Sequence, residues 1–469
     1  MSTAFKEHVR HRYPAAMGAF NVFATAEPRT DQLIFGAWMA LLAFGVLSFG
    51  AVEPWSLATL EIGSALLWFA WLIVGMHRRL LQTKFLPIFV PAVLFLALIL
   101  LQMVAHTTAD EFETSRTFYQ FITFGLLVFV GAQLLDSESR FRSFGLAATL
   151  FGVAIALLAI LQSVTSPNEI YWTVIPRFGD GVFGPYVNHS HFAGLMEMLL
   201  PFPFLLANAS VMPVGRRGLG YFAGAVVAGS IFVSGSRGGI VAASVQLCLI
   251  YFMIRKQLPM RSGSWKKNTR WVNVAAVLLV GAIVLFLGGT EMVTRISSVK
   301  DPFGNTVGAT RILIFKDCLR MIVKHPIMGW GAGTFQTVYP AFRSFSTNVV
   351  VNAAHNDYLQ LLVEFGLAGA AITVLFLVAS YHRFVQLSQE WVDSWPSLVS
   401  FGALLGTIGI LVHSLTDFNL QIPANAAIFY VFCMIASLPA TTPILELKEE
   451  PSMFGRHPTT SLSREGKRR

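Results

Sequence analysis

Apolar runs long enough to cross a bilayer alternate with short polar breaks along most of this chain. A membrane-spanning helix needs about 20 mostly apolar residues. By that measure twelve spans are predicted: 33–51, 56–76, 85–105, 117–135, 144–164, 190–209, 218–235, 238–254, 272–289, 358–381, 397–415 and 421–438. The pattern predicts an all-α, polytopic helical membrane protein. Spans 218–235 and 238–254 read as a hairpin turning at Ser234-Gly235-Ser236-Arg237-Gly238-Gly239. One long polar stretch, 290–357, separates the ninth span from the tenth. Within it, Thr310 to His325 sets Ile312, Phe315, Leu319, Ile322 and Val323 at helical spacing. Arg311, Lys316, Arg320 and Lys324 occupy its other faces, so this helix is expected to lie along a membrane surface. Pro326 ends it, and Gly329, Gly331 and Gly333 let the backbone turn tightly. The organisation expected is an arm (1–32), nine spans (33–289), the loop (290–357), three spans (358–438) and a polar, disordered tail (439–469).

Composition agrees with that pattern. Of 469 residues, 54% are hydrophobic and 13% charged, which excludes an ordinary soluble enzyme. A net charge of +9 would point to nucleic acid in a soluble protein. Here most cations lie in short loops and tails between spans, including Arg10, Arg79, Arg140, Arg217, Lys256, Lys267 and Arg464. That bias places both termini in the cytoplasm, and no nucleic-acid partner is expected. The arm lacks an apolar core near its start, so the first span reads as an uncleaved anchor. Cys248, Cys318 and Cys433 show no metal-ligand spacing and read as packing residues without a disulfide framework.

The expected outer face is poor in cations except in the loop. There seven basic residues (Arg295, Lys300, Arg311, Lys316, Arg320, Lys324, Arg343) face four acidic ones (Glu291, Asp301, Asp317, Asp357). The remaining outward cations are Arg116, Arg177 and Arg237. His355, at the end of this loop, is an imidazole at the bilayer surface suited to removing a proton from a hydroxyl. Its bland reading is a histidine at a helix start, and Asn356 and Asp357 are natural N-cap residues. Arg237, flanked by small residues at a hairpin tip, suits phosphate oxygens, or else anchors a helix end at the headgroups. Arg311 offers a second clamp or a lipid contact.

Asn188-His189-Ser190-His191 leads into the sixth span. It offers sugar contacts through Asn188 and His191, and no metal site is expected. His413, Asp417 and Asn419 also suit sugar hydroxyls, and Asn356 is placed with them. Asp110, Glu111 and Glu113 read as a solvated acidic loop. Glu61, Glu197 and Glu364 are carboxyls inside spans, where an acid marks function by default. Glu364 is expected to pair with another helix.

Taken together these residues resemble the O-antigen ligase and polymerase superfamily of bacterial envelope glycosyltransferases. The ligase pattern of His, Asn, nine residues, Gly, two residues and Gly runs here from His355-Asn356 to Gly366-Leu367-Ala368-Gly369. Ser236-Arg237-Gly238-Gly239, the Arg311 helix, His325-Pro326, Gly329-Trp330-Gly331-Ala332-Gly333 and Asn188-His189-Ser190-His191 also look like family features, covering roughly residues 180–425. The resemblance implies a GT-C-like, metal-independent and cofactor-free inverting transfer at the periplasmic face of the bacterial inner membrane. Its donor would be a glycan on undecaprenyl diphosphate, held among membrane lipids. Arg237 and Arg311 would clamp the diphosphate, and His355 would act as base on the acceptor hydroxyl. For a ligase the acceptor is lipid A–core; for a polymerase it is another lipid-linked repeat. A transporter of lipid-linked oligosaccharides is the competing class. Such folds often carry paired, interrupted helices, and Pro201 and Pro203 find no counterpart in the other half. No P-loop is present.

Overall fold

A computed structural model describes residues 29–78, 83–176, 181–257, 307–346 and 350–439. The expected span 272–289, the loop before residue 307, Arg177, most of the arm and all but the first residue of the tail lie outside them. Fifteen helices run through the described chain: α1 (Arg29–Leu47), α2 (Pro54–His77), α3 (Phe89–Val104), α4 (Glu111–Leu134), α5 (Glu138–Thr165), α6 (His189–Leu199), α7 (Pro201–Asn208), α8 (Arg217–Ser234), α9 (Arg237–Gln257), α10 (Val307–Lys324), α11 (Phe335–Val338), α12 (Asp357–Tyr381), α13 (Phe384–Glu390), α14 (Trp395–His413) and α15 (Pro423–Ser437). Extended pairing among the described residues amounts to two isolated bridges, Ile170 with Val174 and Phe183 with Tyr186. Among the described residues nine helical stretches are long and apolar enough to cross a membrane; α3 and α15 are apolar but shorter.

Side-chain caps start many of these helices, supplying acceptors for amides that a helix cannot satisfy itself. Asp110, expected in a solvated loop, instead caps α4 by accepting from the Phe112 and Glu113 amides at 3.1 and 3.2 Å. Ser137 opens α5 in the same manner, and Ser394 opens α14.

Burial ranks the helices from centre to rim. The apolar stretches of α6–α7 and α14 are 89% and 78% buried, whereas that of α2 is only 17% buried. Along α2 the side chains of Ile62, Leu66, Phe69 and Ile73 form an exposed apolar stripe at helical spacing. Such a stripe suits hydrocarbon rather than water.

Two interruptions shape the centre. Pro201 separates α6 from α7, and lacking an N–H it leaves the Glu197 carbonyl without its helical donor. Gln246 on α9 fills that gap: its amide donates to the Glu197 and Leu405 carbonyls, both at 2.8 Å.

The second interruption is Gly366, with φ 60° and ψ −159° inside α12. The break frees two amides and two carbonyls, and the glycine-rich loop after Pro326 plugs into them. Leu367 N–H donates to the Pro326 carbonyl (2.8 Å) and Ala368 N–H to that of Ile327 (3.0 Å). Trp330 and Gly331 N–H donate to the Val363 and Glu364 carbonyls at 2.9 and 3.1 Å. Glu364 meets another helix through its backbone, where Gln102 of α3 donates to its carbonyl at 2.9 Å. Its carboxylate accepts from the Gly333 amide (3.1 Å) and from Gln360 (3.0 Å), because the broken turn brings the loop to it.

Candidate functional site

The connection from α14 to α15, residues 414–422, forms a floor on which the sequence-predicted residues gather. Asn356 caps α12 by accepting from the Leu359 amide at 2.9 Å, and its Nδ2 donates to the Leu415 carbonyl at 2.8 Å. The next residue, Asp357, is buried. It accepts from Ser414 Oγ (2.7 Å), the Leu420 amide (3.2 Å) and Gln421 (3.4 Å). The start of α12 is thereby locked to the floor, and His355 is set immediately before it. His355 has a φ of 52°, a left-handed conformation uncommon for a residue with a side chain. Its ring packs edge-on against Phe418 with centroids 5.0 Å apart, and its Nδ1 lies 3.9 Å from Asp417 Oδ1. That separation is too long for a direct hydrogen bond and leaves an electrostatic contact.

Arg311, near the start of α10, donates through Nη1 to the Thr416 carbonyl at 3.3 Å. Arg237 begins α9 and is exposed. The neighbouring Gly238 is pressed so closely on the floor that a Cβ there would come within 2.6 Å of the His413 ring and 2.7 Å of Thr416 Oγ1. Arg311 and His355 thus come from separate segments to one short connection, on which the Gly238 backbone next to Arg237 also packs. Among the described residues neither the Arg237 nor the Arg311 guanidinium meets a carboxylate.

The predicted sugar contacts divide by burial. Asn188 caps α6 by accepting from the Ser190 amide at 2.8 Å. His191 is buried on α6, its ring edge-on to Phe418 at 4.7 Å, so that Phe418 sits between two imidazoles. Asp417 is buried as well. Burial pushes its carboxyl up, but His355, His191, His413 and the Phe418 amide outweigh this and hold it well below the ordinary carboxylate range. It therefore stays charged beside the imidazoles.

Two groups were not read together from sequence. Glu197 and His413 meet inside the bundle at 2.9 Å, and His413 Nε2 lies 3.4 Å from Ser236 Oγ. The local signal for part of this was the four-residue spacing of His413 and Asp417, which puts both near one face of a helix end.

Beside the floor an apolar cavity of about 210 Å³ runs between α3, α4, α12 and α15. Phe95, Phe121, Phe376 and Tyr430 line its walls, with Asp357 and Ser414 at its polar end. Among the described residues no group of three or more His, Cys, Asp or Glu side chains could hold a metal ion. Hydrogen bonding, guanidinium charge and an oriented imidazole are the chemical means this arrangement offers.

Residues 222–374 match the family model described as O-antigen ligase, a segment that contains Arg237, Arg311 and His355. No curated protein matches the chain.

Proposed function

From a membrane protein whose residues 222–374 belong to the O-antigen ligase family, we propose a glycosyltransferase that moves a glycan from undecaprenyl diphosphate to a hydroxyl of lipid A–core at the periplasmic face. The observation that carries this reading is that Arg311 and His355 meet at one connection, 414–418, on which the Gly238 backbone next to Arg237 also packs. His355 takes the proton from the acceptor hydroxyl as that oxygen attacks the anomeric carbon. The bond from that carbon to the diphosphate oxygen breaks on the opposite side, inverting the centre. The departing diphosphate gains charge in the transition state, where fixed guanidinium groups stabilise it more than they stabilise the bound donor. A positioned base contributes about 10²–10⁴-fold. The bond energy comes from the donor itself, and the apolar cavity beside Asp357 suits the donor's hydrocarbon chain.

The test is reconstitution of the full chain in lipid nanodiscs with undecaprenyl-diphosphate glycan and lipid A–core. Wild type should form product, while His355→Ala should form it about 10²–10⁴-fold more slowly and Arg237→Ala about 10²–10³-fold more slowly. Polymer growing on the lipid carrier in place of transfer to lipid A–core would identify a polymerase. Movement of the sugar lipid across the bilayer without bond formation would identify a transporter.

A further inference from the structure

Glu197 is fully buried in α6. Its Oε1 lies 2.9 Å from His413 Nδ1, and Oε2 meets no donor among the described residues. An acid at membrane depth costs a few kcal/mol unless paired. Even a paired one is weak support for stability, because desolvation offsets most of the attraction. A buried pair of this kind fits a positioning role better.

With its Nδ1 facing Glu197, His413 turns Nε2 towards Ser236 Oγ at 3.4 Å and Asp417 Oδ2 at 3.9 Å. A carboxylate on one ring nitrogen fixes both the tautomer and the direction of the other. The other oxygen of Asp417 lies 3.9 Å from His355 Nδ1. Carboxylate and imidazole therefore alternate from the bundle interior to the candidate base: Glu197, His413, Asp417, His355. The middle ring is wedged, since only a residue without Cβ fits at 238. The stem of Glu197 is braced too, because Gln246 ties its carbonyl to that of Leu405.

We propose, resting on the transfer reading above, that Glu197 and His413 are positioning residues that set Asp417 and, through it, the orientation of His355. Neither touches substrate. Their effect passes through the imidazole at 355, so it vanishes when that imidazole is gone.

The experiment compares wild type, Glu197→Gln, Glu197→Leu, His355→Ala and the double variant Glu197→Leu/His355→Ala in nanodiscs with the same donor and acceptor. Glu197→Leu should lower kcat about 100-fold, the loss typical of a misplaced catalytic group. Donor KM should move little, and Glu197→Gln, which still accepts from His413, should recover part of the rate. The double variant should be no slower than His355→Ala alone, as for residues acting as one unit. Multiplied losses in the double variant, or wild-type kcat in Glu197→Leu, would overturn the proposal. A second readout needs no substrate: the rate at which diethyl pyrocarbonate labels His355, relative to exposed His325. Both Glu197 variants should change that ratio by about three-fold or more, and an unchanged ratio overturns the proposal. Should wild type form no product with any acceptor, the transfer reading fails and the labelling ratio alone decides.

Discussion

Replacing Gly366 by alanine tests the account of the broken helix directly. At φ 60° and ψ −159° the backbone occupies a region essentially reserved for glycine, which costs another residue about 1–3 kcal/mol. The added Cβ would also fall 2.4 Å from the Ile327 carbonyl oxygen, 2.5 Å from its carbon and 2.8 Å from the Gly329 nitrogen. All three are backbone atoms and cannot swing aside, so the loop must retreat. Retreat puts at risk the four loop–helix hydrogen bonds, each worth about 0.5–1.5 kcal/mol net. Allowing for non-additivity, the local cost is about 3–5 kcal/mol. Hydrogen exchange of the purified protein reads this locally. The amides of Trp330, Gly331, Leu367 and Ala368 should exchange about a hundred-fold faster or more, since each 1.4 kcal/mol is ten-fold. Gly229→Ala, where nothing lies within 4 Å, is the control and should leave those amides unchanged. Wild-type protection of the four amides in Gly366→Ala would refute the reasoning.

Further outcomes follow from the site and its supports. Arg237→Ala and Arg311→Ala should each lower kcat about 10²–10³-fold. Lysine should restore only part of it, because a point charge cannot take two phosphate oxygens at once; full rates in both lysine variants in steady-state assays would count against a diphosphate clamp. Gln246→Leu strands the Glu197 carbonyl, whose helical donor is missing at Pro201, so thermal unfolding should shift down by an amount matching about 1–3 kcal/mol, and an unshifted transition would show that another donor reaches it. Asp417, depressed in the fold, adds stability above its unfolded value near about 3.9 and loses it only as pH falls through its lower folded value. Infrared difference spectra of wild type against Asp417→Asn should show no protonated carboxyl above about pH 4; such a band at pH 6 would contradict the charged Asp417 described here.

Hydropathy located the helices well because the bilayer imposes one simple demand on every crossing segment. Helices occupy all the expected spans that fall on described residues, and the amphipathic stretch from Thr310 lies in α10. What hydropathy could not resolve were places where helices stop early for local reasons. Pro201 divides one span into α6 and α7, and α15 starts only at Pro423 after an extended Ile422. Motif and charge singled out the positions 237, 311 and 355 in the sequence. The connection that receives Arg311 and Asn356 left no such signal, since it is built of backbone carbonyls at Leu415 and Thr416 that leave no mark on composition. Glu197 and His413 are 216 residues apart, and no periodicity in one chain links such distant positions. The loop amide that meets the Glu364 carboxylate was hidden for a different reason: a backbone break at Gly366 admits a loop that side-chain spacing does not foresee.

The seam between the Pro326–Gly331 loop and α12 is tied by four peptide hydrogen bonds, and Gln102 of α3 braces it by donating to the Met328 and Glu364 carbonyls at 2.7 and 2.9 Å. Its demands on side chains are uneven: Gly329 and Gly331, both at positive φ, leave no room for a Cβ. Ile327, whose side chain is 67% exposed, lends the seam only its carbonyl oxygen. Position 327 can thus trade its greasy side chain for a charged one while the joint beneath keeps its shape, a freedom that Gly329 and Gly331 lack.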